Sequence, residues 1–269
     1  MKTNKNKTVA AIMLVAVIMA TSSCQKEKLT KTVKNSKSIE NVGESFSDIQ
    51  RTIMFEVARN LSYKTENCGI VTDDTVSVPH VRTIDYGTGC TDDKGNVRKG
   101  QMVITYDTDD FLTVSGANSY TTFNNFSLDD EQVTGSFNIH NNGTNGNGNY
   151  TFTTIGKYDH VMLDGEVVSI EGQYDIEWTA GANTTDLSDN EFTHTGSVSA
   201  TTTISSDMVT ISIVQPLLEK NSCPGYFVSG EEHLQITSEP DAYRNYGDGT
   251  CDNLAVETVN GVPTQVTLD

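Results

Sequence analysis

The sequence predicts an all-β protein, an antiparallel meander forming an extended curved sheet or sandwich, with one short N-terminal helix. Three observations predict it. From Gly69 onward, segment after segment alternates apolar with polar residues, the period of half-buried strands. Thr, Ser, Asn, Asp and Gly crowd the middle of the chain, where Leu and Ala are few; that is the usage of strands and turns. Short turn-forming stretches separate the segments, and no helical periods stand between them to cross over a parallel sheet, so neighbours pair antiparallel. The choice among open curved sheet, sandwich and partial barrel stays open at this level, with a long-stranded meander favoured.

The elements follow in order. Residues 1–23 read as a signal peptide. Lys2, Lys5 and Lys7 precede the unbroken apolar run Val9–Ala20, which is shorter than the ~20 residues of a permanent membrane span. Thr21-Ser22-Ser23-Cys24 closes it. This stretch resembles a bacterial lipobox, with Thr21 where a Leu is usual. The resemblance implies cleavage before Cys24 and lipidation of its thiol and new N-terminus. The alternative is an ordinary cleaved signal beside an incidental cysteine. Residues 24–43 are polar and Lys-rich and read as a lipidated flexible tether. Residues 44–269 form the β-rich domain. It begins with a helix over Ser45–Leu61, where Phe46, Ile49, Ile53, Val57 and Leu61 make one apolar stripe suited to packing on the sheet. Ser47 and Gln50 have the spacing of a capping box.

Strands are expected at Val76–Val78, Val81–Tyr86, Gln101–Tyr106, Ser119–Phe126, Gln132–His140, Asn149–Tyr158, His160–Leu163, Val167–Trp178, Glu191–Ser205, Met208–Val214, Tyr226–Thr237, Leu254–Val259 and Thr264–Leu268. The clearest hairpin is the last, where Asn260-Gly261 joins two alternating runs with the residues of a type I′ turn.

Charge narrows the partners. With 36 acids against 18 bases the formal net charge is −18, moving to −21 on loss of Lys2, Lys5 and Lys7 with the signal. Such a chain repels nucleic acid and anionic lipid surfaces.

A short pattern occurs twice, as Ile84-Asp85-Tyr86-Gly87-Thr88-Gly89-Cys90-Thr91-Asp92-Asp93 and Tyr246-Gly247-Asp248-Gly249-Thr250-Cys251-Asp252-Asn253. Its glycines read as positive-φ positions in a tight bend beside each cysteine. Cys68 and Cys223 lie upstream of the copies. An even set of cysteines in an exported chain suggests two disulfides. Of the three connectivities, Cys68–Cys90 with Cys223–Cys251 fits best, because each pair flanks one copy. A zinc site is the weaker alternative, since no pair has two-residue spacing.

These residues carry a resemblance. Cys90-Thr91-Asp92-Asp93-Lys94-Gly95-Asn96-Val97-Arg98-Lys99-Gly100 resembles the Cys-x-Asp-x-x-Gly-x-x-Arg-x-Gly motif of uncharacterised Bacteroidota cell-envelope lipoproteins. Phe227-Val228-Ser229-Gly230 and Tyr246–Asn253 resemble the C-terminal motif of that group, over residues 68 to 269. The resemblance implies a lipid-anchored β protein of the bacterial outer membrane, facing periplasm or cell surface, and brings no activity. Asn245 stands where Asp85 stands in the first copy, which questions a shared carboxylate role.

Chemistry is sparse. Asp73/Asp74, Asp92/Asp93, Asp109/Asp110 and Asp129/Asp130 offer carboxylates for a glycosidase pair, but such pairs on turns are usually solvated caps. Asp107–Asp110 and Asp186–Glu191 gather oxygen ligands without the spacing of an EF-hand loop. The histidines are scattered, with no HExxH pair and no nucleophile elbow. Tyr174 and Trp178 share one face of a strand, either packed in the core or stacking on sugars. The expectation is a non-catalytic binding or scaffold module, the alternative an envelope glycan hydrolase. No cofactor and no metal site is expected. The expected partners are the membrane, through Cys24, and a glycan or a protein, with no nucleic acid.

Overall fold

Period-two alternation lets each strand bury one face and solvate the other, and short links let each strand pair with the next. A computed structural model describes Phe46 to Leu268, apart from residues 48, 55–67, 93–94, 185, 204–206 and 224–225. Its strands are β1 (Ile70–Asp74), β2 (His80–Thr91), β3 (Val97–Tyr106), β4 (Asn118–Leu128), β5 (Glu131–Thr144), β6 (Tyr150–Val161) and β7 (Val167–Ala180). They continue as β8 (Glu191–Thr202), β9 (Met208–Lys220), β10 (Phe227–Ile236), β11 (Ala242–Asp248), β12 (Leu254–Val259) and β13 (Val262–Thr267). All 13 lie in one sheet in sequence order, each antiparallel to its neighbour. The meander expectation holds. The sheet has two edges, β1 and β13, and does not close.

Helix α1 comprises the helical residues 46, 47 and 49–54. Val57 and Leu61 of the expected stripe lie outside the described residues. Ser47 is already helical and buried, so it does not act as the N-cap of a capping box.

The helix shows how the sheet bends. Arg51 and Thr52 are consecutive, yet Arg51 pairs with Glu219 on β9 at 2.5 Å and Thr52 accepts a hydrogen bond from Arg98 on β3 at 3.3 Å. In a flat sheet these strands would stand roughly 29 Å apart, six spacings of ~4.8 Å. The sheet therefore curls around α1, and its inner face is the core. Phe46 enters at the centre. Its ring packs on Phe137 (5.0 Å), Tyr158 (6.4 Å) and Tyr174 (5.0 Å) of β5, β6 and β7. Gly156 makes the seat, because a Cβ there would stand 2.6 Å from the Phe46 ring and 2.7 Å from Phe137. A second core of Leu217, Tyr246, Ala255 and Leu268 lies under the C-terminal strands.

Several elements differ from expectation. Val76-Ser77-Val78 is not a strand. It is an exposed bend whose Val76 and Ser77 amides both donate to Asp74 Oδ1 at 3.0 Å, and β1 precedes it. Asn149–Tyr158 and His160–Leu163 merge into β6, since Asp159 sits on the solvent face and accepts from Ser169. Met208–Val214 extends through Pro216 to Lys220, because Pro216 falls where the pairing of β9 with both neighbours shifts register, a position that needs no ladder donor. The Asn260-Gly261 hairpin forms as expected, with φ of 52° and 76°.

Candidate functional site

The two cystines are Cys68–Cys90 and Cys223–Cys251, the nearest-neighbour pairing. All four repeated glycines have positive φ, and Gly249 lies in a bend beside Cys251, but the other three are not in tight turns. Gly87 and Gly89 lie inside β2 and Gly247 inside β11, where an offset in register with the adjoining strand needs backbone that bulges at positive φ. Asp85 and Asn245 do the same work in their copies despite their different charge. Asp85 Oδ1 accepts from the Gly87 amide at 2.8 Å, and Asn245 Oδ1 accepts from the Gly247 amide at 3.0 Å. Each also meets its cross-strand partner with complementary polarity. Gln101 donates to Asp85 at 2.9 Å, whereas Asn245 donates to Glu231 at 3.3 Å. The hydrogen bonds from Gln101 and then Gly87 hold the Asp85 carboxyl below its usual range.

The remaining motif residues are also framework. Asp92 and Arg98 form an ion pair at 3.0 Å with side chains only 4% and 1% exposed. Asp92 also accepts from the Asn96 amide at 2.9 Å, closing the β2–β3 turn, and Arg98 reaches Thr52 of α1. In the second copy, buried Tyr246 donates to Glu232 Oε2 at 2.7 Å, and buried Arg244 pairs with Glu257 at 2.6 Å. Burial pushes the Glu232 carboxyl up, against the opposing effects of Tyr246 and Arg244. Burial and the nearby Glu232 push the Tyr246 phenol well above its ordinary value. Asp92 and Arg98 are among the motif residues, but sequence reading passed over Glu232 and Arg244, although each stands in phase with the apolar alternation of its strand, as Glu219 does with Leu217.

Among the described residues the paired aspartates are engaged locally, and Asp93 lies outside the described residues. Asp73 binds Arg82 at 2.6 Å, Asp74 caps the bend after β1, Asp109 meets His80 at 2.9 Å, Asp129 accepts from the Val97 amide, and Asp130 pairs with Lys99. The buried glutamates Glu219 and Glu232 are on adjacent strands. However, Glu219 faces Phe227 and Glu232 faces Ile213, so five residues of β10 separate them. At ~3.3 Å per residue their backbones stand roughly 16 Å apart along the strand. The oxygen-rich loops are consumed locally as well. Asp107 accepts from Asn118, Asp186 from Ser188 and Asp189 from Thr184. Among the described residues no group of three or more His, Cys, Asp or Glu is placed to hold a metal ion. Every histidine has an acid or amide beside it, namely Asp109, Asn118, Glu131, Glu219 and Asp241 for His80, His140, His160, His194 and His233.

Tyr174 is fully buried against Phe46, so the face it shares with Trp178 is the inner face. Trp178 stacks on Phe192 at 5.6 Å and packs near Tyr150. Tyr174 packs the core, while Trp178 is half-buried against Tyr150 and Phe192.

What remains open to solvent is the outer face. Its central row runs across the strands as Tyr120, Asn138, Ile155, Gln173, Ser197 and Ser212, one from each of β4 to β9. His233 and Tyr243 continue it on β10 and β11. Its own positions hold no acid, lysine or arginine, but Asp175 accepts from Gln173 and Asp241 meets His233 at 2.9 Å. Among the described residues, the side chains of Asn138, Ser197 and Ser212 make no hydrogen bond.

Comparison with known proteins finds no matching family, no matching curated protein and no matching solved structure. Cys24 lies outside the described residues.

Proposed function

We propose that this chain is a non-catalytic binding or scaffold module, exported and held to the bacterial outer membrane by lipid on Cys24. The observation that carries the reading is the division of labour between the two faces. Buried acids and histidines are spent on fastening a helix and strands together, while the solvent face presents a long row of amides, hydroxyls and rings. Cystines at both ends of the sheet support export to an oxidising compartment. The lipobox-like Thr21-Ser22-Ser23-Cys24 supports anchoring. The test is metabolic labelling with an alkyne fatty acid in a Bacteroidota host. Label and membrane fractionation are expected for the native chain, with loss of both in Cys24→Ala. An unlabelled native chain in the soluble fraction refutes the anchor. Release of reducing ends from a glycan panel by the purified protein refutes the non-catalytic assignment.

A further inference from the structure

We infer that the free edge of β13 pairs with β13 of a second copy of this chain, antiparallel about a two-fold axis at Gln265, so that two 13-stranded sheets become one. The two edges of the sheet are made differently. β1 is five residues long, carries Asp73 and Asp74 and runs into a bend, all devices that blunt an edge. The last hairpin has none of these, and Pro263 alone interrupts its edge. From Leu254 to Thr267 its one charge is Glu257, which faces inward and pairs with Arg244 at 2.6 Å. Both of its faces show apolar side chains. Leu254 and Val256, 38% and 40% exposed, alternate with buried Ala255 and so lie on the outer face. Val259 and Val262, 37% and 65% exposed, lie on the inner one. An edge that water reaches on both faces is ordinarily charged or polar; this composition suits a strand with a neighbour on each side.

The backbone decides what that neighbour is. Val259 faces Val262 across the Asn260-Gly261 turn, and the Leu268 amide donates to Asn253. Val262, Thr264, Val266 and Leu268 therefore turn their main-chain groups toward β12. Pro263, Gln265 and Thr267 turn theirs outward, where among the described residues no strand meets them. An extended polypeptide is what satisfies such a row. β13 itself fits it. With Gln265 opposite its own copy, the two residues exchange both hydrogen bonds. Each Thr267 amide then donates to the Pro263 carbonyl of the other copy, so the donor that proline lacks falls at the ends of the ladder. On the inner face Val262 meets Leu268 of the second copy, and Thr264 meets Val266. In a chain of formal net charge −18, two copies meet only where carboxylates do not oppose each other, and Val262 to Leu268 holds no charge. The hairpin is flanked in sequence by Asp252, whose carboxylate caps the Leu254 amide, and by Asp269, outside the described residues. Pairing β13 with β1 of another copy would instead bring it against Asp73 and Asp74 in a head-to-tail contact that does not close.

The test is oxidation of the full chain, in cells that produce it, with copper phenanthroline, read on a non-reducing gel. In the paired register the two copies of residue 265 have Cα atoms about 5.5 Å apart, inside the ~4.4–6.8 Å span of a disulfide. Gln265→Cys is therefore expected to give a covalent dimer that the native chain does not. The two copies of residue 267 stand roughly 13 Å apart along the strands, so Thr267→Cys is expected to stay monomeric. Gln265→Glu sets like charges at the axis. It should weaken self-association of the purified chain in detergent roughly 10-fold by sedimentation, while circular dichroism shows the same fold. The pairing is overturned if Gln265→Cys gives no dimer, if both cysteine variants cross-link equally, if Gln265→Glu associates as the native chain does, or if Gln265→Cys is captured by a different protein. The binding reading of the outer face stands or falls separately, since it needs no second copy.

Discussion

Replacing Arg51 with Met removes a guanidinium while keeping an unbranched apolar stem, and it tests the fastening of α1 to β9. Burial alone would raise the Glu219 carboxyl. Arg51 at 2.5 Å and His194 at 3.0 Å outweigh burial and hold it at about 2, against an ordinary 4.5. At ~1.36 kcal/mol per unit this difference corresponds to on the order of 3 kcal/mol of stability. The folded value lies below the unfolded one. The contribution is therefore complete above about pH 4.5 and is lost as the pH falls toward 2. Arg51→Met should cost roughly 3 kcal/mol near neutral pH, since it leaves a buried carboxylate with His194 alone. The gap from the native protein should narrow steadily between about pH 4.5 and 2. Urea unfolding of the oxidised protein, followed by circular dichroism across this range, measures both. An equal loss at neutral and acid pH would mean that Arg51 acts through packing, and would refute the electrostatic account.

Two further outcomes are expected. Gly156→Ala should cost about 1–3 kcal/mol by forcing the Phe46 and Phe137 rings apart; Phe46→Ala should cost about 3–5. The double variant should lose less than the sum, and strict additivity in urea melts would show that Phe46 is not seated over Gly156. Replacing both cysteines of one bridge by Ala should cost about 3 kcal/mol for either pair, given loops of similar length, and melting temperatures of the two variants read it directly. A loss confined to one bridge would mean that the other end of the sheet holds without its cystine.

Much was legible in the sequence because it is decided by near neighbours along the chain. Alternation of apolar and polar residues marked most strands, Asn260-Gly261 set the register of the last hairpin, and copies of one pattern indicated how four cysteines pair. The even array of turn signals made a meander the natural topology. The candidate binding face was not legible. Tyr120, Asn138, Ile155, Gln173 and Tyr243 become one row only through the registers of successive ladders, which bulges shift by a residue here and there. The same holds for Gly87 and Gly247, which read as turn residues until cross-strand pairing makes them bulges.

Tertiary structure alone decided which charges are buried and what they hold. A glutamate in phase with Leu217 is indistinguishable in sequence from a surface carboxylate, because its stability depends on Arg51, 168 residues away. The curl of the sheet is of the same kind. Local propensity makes strands and hairpins, and a long sheet can be open or curled at little local difference. The contacts of adjacent Arg51 and Thr52 with β9 and β3 accompany the curl, since that shape buries the helix and gives the buried Glu219 its guanidinium partner.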